Sequence, residues 1–412
     1  MVDWSMRAFP SRIALCRIRI AILAMLPLYS ALGCLRSGRP VVHLAGTSPS
    51  VSSGNELSVP GTVVMPNEAL TVDELFDRGM HRFEQRQYSL AATDLEIVAR
   101  AVPDQVRSRL AWYRAGIARD ETGDFAAAAD NFAMVVSLRD GSAITRDAQT
   151  RLIRLLVFME RWPDAGERAR SMESEFPNLH AVETIVVKGA IALAALSRGD
   201  LDTAAREIEG ARSIIEENQF DVAAQLQRDV AVVYFALGEL RRVRASSIRF
   251  VPLPTSFNDQ LERRCQMVLD AQSAFSMAMR AYDAHWSVMS GYRVSQLYAN
   301  LHQDLMDLVT VVQWPDADRQ QLFEAALRLR YSILLEKAAT SLEHTLALAT
   351  RTDETSKWVT WAQEALEKLQ HAMADERAAI AKVPYTREQL MRALEGLKQL
   401  RSAPPSPKVQ AR

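Results

Sequence analysis

The sequence predicts an all-α fold: a helix-pair solenoid over residues 68–255, followed by a further α-helical region over 256–401. Three observations carry this. A large turn residue recurs at Tyr88, Phe125, Trp162, Leu201 and Leu240, at spacings of 37, 37, 39 and 39. Other residues keep step with it: Ala91, Ala128, Ala165, Ala204 and Val243 three places later, and Gly79, Gly116, Ile153, Ala192 and Ala231 nine places earlier. The composition, 48% hydrophobic and 24% charged with only 16 Gly and 16 Pro in 412 residues, suits long helices. Such a period marks stacked units, each burying its apolar face on the next. A single compact core of this length would be unusual, whereas a solenoid core grows in one dimension.

Residues 1–34 open the chain as a secretory leader. Arg7, Arg12, Arg17 and Arg19 make a basic start, and Ile20 to Leu32 is apolar but too short for a comfortable membrane span. The stretch ends Ser30-Ala31-Leu32-Gly33-Cys34, which resembles a bacterial lipoprotein lipobox, with Ala31 where Leu is usual. That resemblance implies cleavage after Gly33 and lipid on Cys34. An ordinary cleaved signal or an uncleaved anchor helix are the alternatives. Cys16 lies inside the leader, so with Cys34 acylated Cys265 has no partner in the mature chain and reads as a small buried hydrophobe.

Residues 35–67 read as a flexible linker. Six Ser, four Gly and four Pro fill 14 of the 32 places from 35 to 66, too little apolar surface to fix a structure.

The repeats of 68–255 should supply about five units, or ten helices, with a small residue in each helix allowing close approach. Gly116 is expected to face Ala128. Gly123-Asp124 and Gly199-Asp200 read as the turns between paired helices, since Gly tolerates positive φ and Asp bonds back to the local backbone. Pro103 and Pro177 close two of the units. This pattern resembles the tetratricopeptide repeat (TPR), best around Tyr88 and Phe125. Ile153 departs from its small glycine, and the last two units, with Lys188 and Gln227 where Trp or Leu is usual, fit loosely. The period exceeds the usual 34 or so residues, which implies longer inter-repeat loops.

Val251-Pro-Leu-Pro-Thr255 breaks the helical pattern and marks the boundary of the sub-domains. Beyond it helices are expected near Asn258–Tyr282, His285–Val312, from Asp316 on to Ala349, and near Ser356–Ala381. Thr386-Arg-Glu-Gln389 opens a last helix as a capping box. Residues 402–412 read as a disordered tail.

Little in the chain speaks of chemistry. The net charge of −1 gives no support to nucleic-acid binding. Seven scattered His form no metal-ligand spacing, and no nucleophile elbow or phosphate loop occurs. His302, Asp304 and Asp307 come nearest to a cluster and read as a solvated helix face. Trp286, Tyr292, Tyr298, Trp314, Trp358 and Trp361 read as packing residues, with one or two lining a groove. No cofactor and no reaction are expected.

The first helices of the early repeats carry Met80, Tyr113, Arg114, Ile117 and Arg154, an apolar inner face with an occasional Arg. They are the candidate partner-binding residues, suited to an apolar helix or extended segment. The Lys and Asn by which some TPR domains clasp a C-terminal carboxylate are missing there. Leader, linker and repeats together resemble outer-membrane TPR lipoproteins of the BamD kind, though this chain is longer than their five-repeat body. The resemblance implies a non-enzymatic protein–protein scaffold of the cell envelope that binds other envelope proteins through its concave face. Lipid on Cys34 would tether it to the membrane. Leu35 after the lipidated residue, rather than Asp, implies the outer membrane facing the periplasm. A soluble periplasmic chaperone or glycan-binding module, or an enzyme with its site in 256–400, are the alternative readings.

Overall fold

The structure is a computed structural model. It describes residues 70–101, 105–222, 227–251, 254, 256–311 and 316–397. The leader, Cys34, the linker, Pro103, Trp314 and the tail lie outside the described residues.

Among these, fifteen α-helices follow one another: α1 Val72–Glu84, α2 Tyr88–Ala101, α3 Gln105–Glu121, α4 Phe125–Ser137, α5 Ala143–Phe158, α6 Trp162–Glu175, α7 Ala181–Ser197, α8 Leu201–Glu217, α9 Arg228–Ser247, α10 Phe257–Met279, α11 Ala284–Met306, α12 Leu308–Val311, α13 Ala317–Thr352, α14 Lys357–Lys382 and α15 Arg387–Leu397. Each long helix packs on the next in antiparallel pairs. The first helices of the pairs, α1, α3, α5, α7, α9 and α11, also touch one another in order, forming one layer. The fold is therefore the expected all-α helix-pair array.

Four of the turn residues start second helices: Tyr88, Phe125, Trp162 and Leu201. The turns before them share one geometry. Two residues upstream the backbone is left-handed, at Arg86 (φ 59°), Gly123 (77°), Glu160 (60°) and Gly199 (77°). The residue after it closes the first helix with a bond five residues back: Gln87 to the Arg82 carbonyl, Asp124 to Arg119, Arg161 to Leu156 and Asp200 to Ala195. The Asp124 and Asp200 carboxylates then cap the second helix, accepting from the Ala127 and Thr203 amides.

Close approach follows the small residues, with one change of partner. A Cβ on Gly116 would lie 2.7 Å from the Phe132 ring, so it is Phe132 rather than Ala128 that needs the glycine. Gly79 makes the same room for Leu95, at 2.9 Å.

The fifth unit departs from the expected register. α9 runs unbroken through Leu240 and Val243, so the described residues from Val72 to Ser247 form nine helices, not ten. Gly238 is followed by Glu239 instead of Asp and stays helical. Its missing Cβ admits the Phe275 ring of α10, which would otherwise stand 2.6 Å away. Glu239, 5% exposed, accepts from Arg242 and forms an ion pair with Arg293 at 3.1 Å. The fifth pair is thus α9 with α10, and the main apolar core continues past 251–255 from Leu95 to Leu369 without a break. In α11, Gly291 likewise makes room for Thr345 of α13.

In the second half Asp316 caps α13 by accepting from the Arg319 amide. The expected capping box at Thr386 and Gln389 forms in both directions. The helix expected to reach Val312 stops at Met306, where Asp307 intervenes before the short α12.

Candidate functional site

The layer of first helices carries a pocket of about 100 Å³, partly open to solvent. Asp120 at the end of α3 and Phe125 at the start of α4 form one side. Arg151, Arg154, Leu155, Val157 and Phe158 come from α5, and Val186 from α7. Arg228, Asp229 and Val232 enter from α9, and Trp286 from α11. The aromatic wall is continuous. Phe125 meets Phe158 edge-on at 4.8 Å between centroids, Phe158 lies 4.3 Å from the His285 ring, and His285 meets Trp286 at 5.9 Å.

Its charges are mostly tied down. Arg154 donates twice to Asp229, at 2.9 and 2.7 Å, joining α5 to α9 past α7. Arg151 donates to Asp147 at 2.7 Å, and Arg228 pairs with Asp283 at 2.9 Å. The Asp120 carboxylate has no hydrogen-bond or ion-pair partner among the described residues. Burial raises its carboxyl above the ordinary value, with the Arg151 and Arg228 charges pulling the other way and Glu121 adding to the rise. Trp286 is 1% exposed, and its indole Nε1 has no acceptor.

Of the residues expected on the inner face, only Arg154 lines this pocket. Tyr113 is half-buried and donates to Asp147 at 2.5 Å, its hydroxyl held protonated by burial and by that carboxylate. Arg114 lies over the Phe83 ring at 5.2 Å. Met80 and Ile117 are half-buried against the core. Asp120, Phe158 and Asp229 carry no local signal for it, because they sit far apart in sequence and only stacking collects them. Trp286 was read as packing with a chance of lining a groove, and it does both.

The second half holds a polar cluster of a different kind. His302 is 6% exposed, so the solvated face expected for it is corrected: the ring points into the contact of α11 with α13 and α14. Its Nε2 stands 3.6 Å from Glu376 Oε1, and Glu376 accepts from Arg328 at 2.7 Å. Burial, with the Arg328 charge adding to it, lowers the His302 pKa to about 4. Burial raises the Glu376 carboxyl despite Arg328. Asp304 faces elsewhere and pairs with the buried Arg264. The cluster is packed between helices, not open to a cleft. Cys265 is half-buried against the main core rather than fully inside it.

Among the described residues no group of three or more His, Cys, Asp or Glu could hold a metal ion, and no helix is long and apolar enough to cross a membrane. No protein-family profile and no curated protein matches the chain. Several solved structures are similar, two of them as follows. One is a tetratricopeptide repeat protein from Parabacteroides merdae ATCC 43184, 13% identical, covering 73% of this chain and 98% of its own, with a TM-score of 0.39. The other is the P58(IPK) TPR domain, 15% identical over 74% of this chain and 98% of its own, with a TM-score of 0.24.

Proposed function

We propose that the chain is a non-enzymatic protein–protein interaction scaffold of the bacterial envelope, tethered to the outer membrane by lipid on Cys34. The reading of partner binding rests on one observation: six helices, five of them first helices of their pairs, converge on one partly apolar pocket. Repeat arrays present such layers as extended binding surfaces, and a pocket with an apolar body and a few placed polar groups is the usual form of a binding site. The tether rests on the basic, apolar, Gly33-Cys34 order of the leader.

Two measurements test this. The intact mass of protein extracted from membranes should show residues 1–33 removed and acyl mass on Cys34; an unprocessed start, or a mature chain without acyl mass, ends the tether reading. A photo-crosslinking residue at Val232, in the pocket, should capture envelope proteins in cells, while one at Glu209, on the exposed side of α8, should not. Equal capture from both places would count against the pocket as the partner surface.

A further inference from the structure

Three arginines, Arg151, Arg154 and Arg228, line the pocket against two carboxylates, Asp120 and Asp229. Each arginine is anchored through one part of its guanidinium. Arg151 donates its Nε to Asp147, and Arg228 pairs through Nε with Asp283, both carboxylates lying outside the lining. Arg154 gives Nε and Nη2 to Asp229 and keeps Nη1. A guanidinium carries five N–H donors in a planar fork, so donors remain on all three. The cations are also the reachable partners: the Arg228 side chain is 66% exposed, whereas Asp229 is 13% exposed behind Arg154. Asp120 lies in the field of Arg151 and Arg228, yet burial still disfavours its charge, which makes it a weak opponent of an incoming anion. Beside these groups the wall is apolar, with Phe125 against Phe158 and with Leu155, Val186 and Val232. At about 100 Å³ the space falls below the ~300 Å³ at which drug-sized ligands are enclosed, and suits one side chain.

We infer that the pocket takes a single acidic side chain of a partner protein, its carboxylate on the remaining N–H donors of Arg151, Arg154 and Arg228 and its stem against Phe125 and Phe158. This rests on the scaffold reading above and gives that reading a ligand chemistry. The arginine fork matches a carboxylate, and charge-assisted bonds of this kind are the strong ones. The pocket opens on the layer of first helices, where a partner lying along the array can insert a side chain. Asp120 opposes the guest, so its neutralisation should tighten binding.

The test follows the methyl signals of Val186 and Val232, which line the pocket, by NMR on the folded full-length protein, assigned with Val186→Ile and Val232→Ile. Four probes are added in turn: a blocked heptapeptide of alanine and serine with a central glutamate, the same peptide with glutamine, the same with arginine, and free butyrate. The expected result is a saturable shift with the glutamate peptide, a weaker one with butyrate, and none with the glutamine or arginine peptide. Arg151→Gln should weaken glutamate-peptide binding about tenfold, the loss of one charge-assisted hydrogen bond. Asp120→Asn should strengthen it about three- to tenfold, and a gain of that sign cannot come from a damaged fold. Thermal melts near wild type confirm that both variants are folded. A response to the arginine peptide, equal responses to the glutamate and glutamine peptides, or no response to any probe overturns the proposal. Undiminished binding in Arg151→Gln, or binding in Asp120→Asn no tighter than wild type, does the same. Butyrate binding without the glutamate peptide also overturns it, leaving a free small anion as the ligand. Failure here with crosslinking from Val232 intact removes only the acidic-side-chain assignment; lost crosslinking removes the scaffold reading itself.

Discussion

The indole Nε1 of Trp358 donates to Glu160 Oε1 at 2.7 Å, across 198 residues of chain. Glu160 sits in the turn between α5 and α6, in the left-handed place that Gly123 and Gly199 fill in two other repeats. A non-glycine residue there is strained. Its side chain repays that strain by also holding Lys357 at 2.9 Å, so the start of α14 is tied to the third repeat.

Trp358→Phe keeps most of the ring, which packs on Tyr292 and Trp361, but removes the donor. The expected loss in urea denaturation is about 1–3 kcal/mol, the range for leaving a part-buried acceptor short of a partner. Amide hydrogen exchange should accelerate first near residues 354–360. Unchanged stability and exchange would show that the tie contributes nothing.

Gly238→Ala provides a test of sign. Intrinsic propensity favours Ala inside a helix by about 1 kcal/mol. The Phe275 ring occupies the place of the new Cβ, so the variant should instead lose about 1–3 kcal/mol by overpacking. In a double-mutant cycle with Phe275→Leu the two substitutions should couple favourably by about 1 kcal/mol. Strict additivity would mean that α9 and α10 separate without difficulty.

Much of the fold was legible because the turns are written locally. Gly-Asp at 123–124 and 199–200 names both the left-handed residue and the cap, and the first residue of each second helix follows at once. Leu240 misled because spacing alone was extended past the point where turn chemistry stopped: Gly238 serves a close helix contact there, not a turn. The pocket was hardly legible. Arg154 could be placed on a first-helix face, but its partner Asp229 lies 75 residues on. Tyr113 seemed free for a partner because nothing local shows that Asp147, on the next first helix, takes its hydroxyl. His302 looked solvated for the same reason, since Arg328 and Glu376 come from later helices.

The buried His302 carries a pH dependence. Its pKa is about 4 in the folded chain against 6.5 as the ordinary value, so between these values the unfolded chain binds a proton that the folded chain refuses. The stability from neutral His302 is therefore present above pH 6.5 and lost as pH falls toward about 4. Glu376, raised in the fold, acts oppositely: its contribution is full below about 4.5 and declines as pH rises through its folded value. Arg328 and Glu324 also face this cluster. Going from pH 7.5 to pH 5.0, the wild type should lose about 1–2 kcal/mol more than His302→Leu, after allowing for solvent screening. Chemical denaturation at the two pH values measures this, and equal losses would show that His302 titrates normally in the fold.

Arg154 and Asp229 bear on both stability and the pocket. Arg154 is reached from solvent, with 38% of its side chain exposed, but Asp229 is only 13% exposed and depends on it. Arg154→Glu would place a second carboxylate against Asp229 and should lower stability by about 1–3 kcal/mol. Reduced partner binding in that variant alone would therefore not identify a contact residue, because the pocket wall between α5 and α9 would open with it. The swap Arg154→Asp with Asp229→Arg restores opposite charges in reversed order. It should recover most of the thermal stability while moving the cation from the α5 wall to the α9 wall. If the ion pair is what holds these helices at the pocket, the swap melts close to wild type and the single variant well below it. A swap as unstable as Arg154→Glu would show that the geometry of the bidentate arginine on α5, and not the charge pair, sets the spacing of the wall.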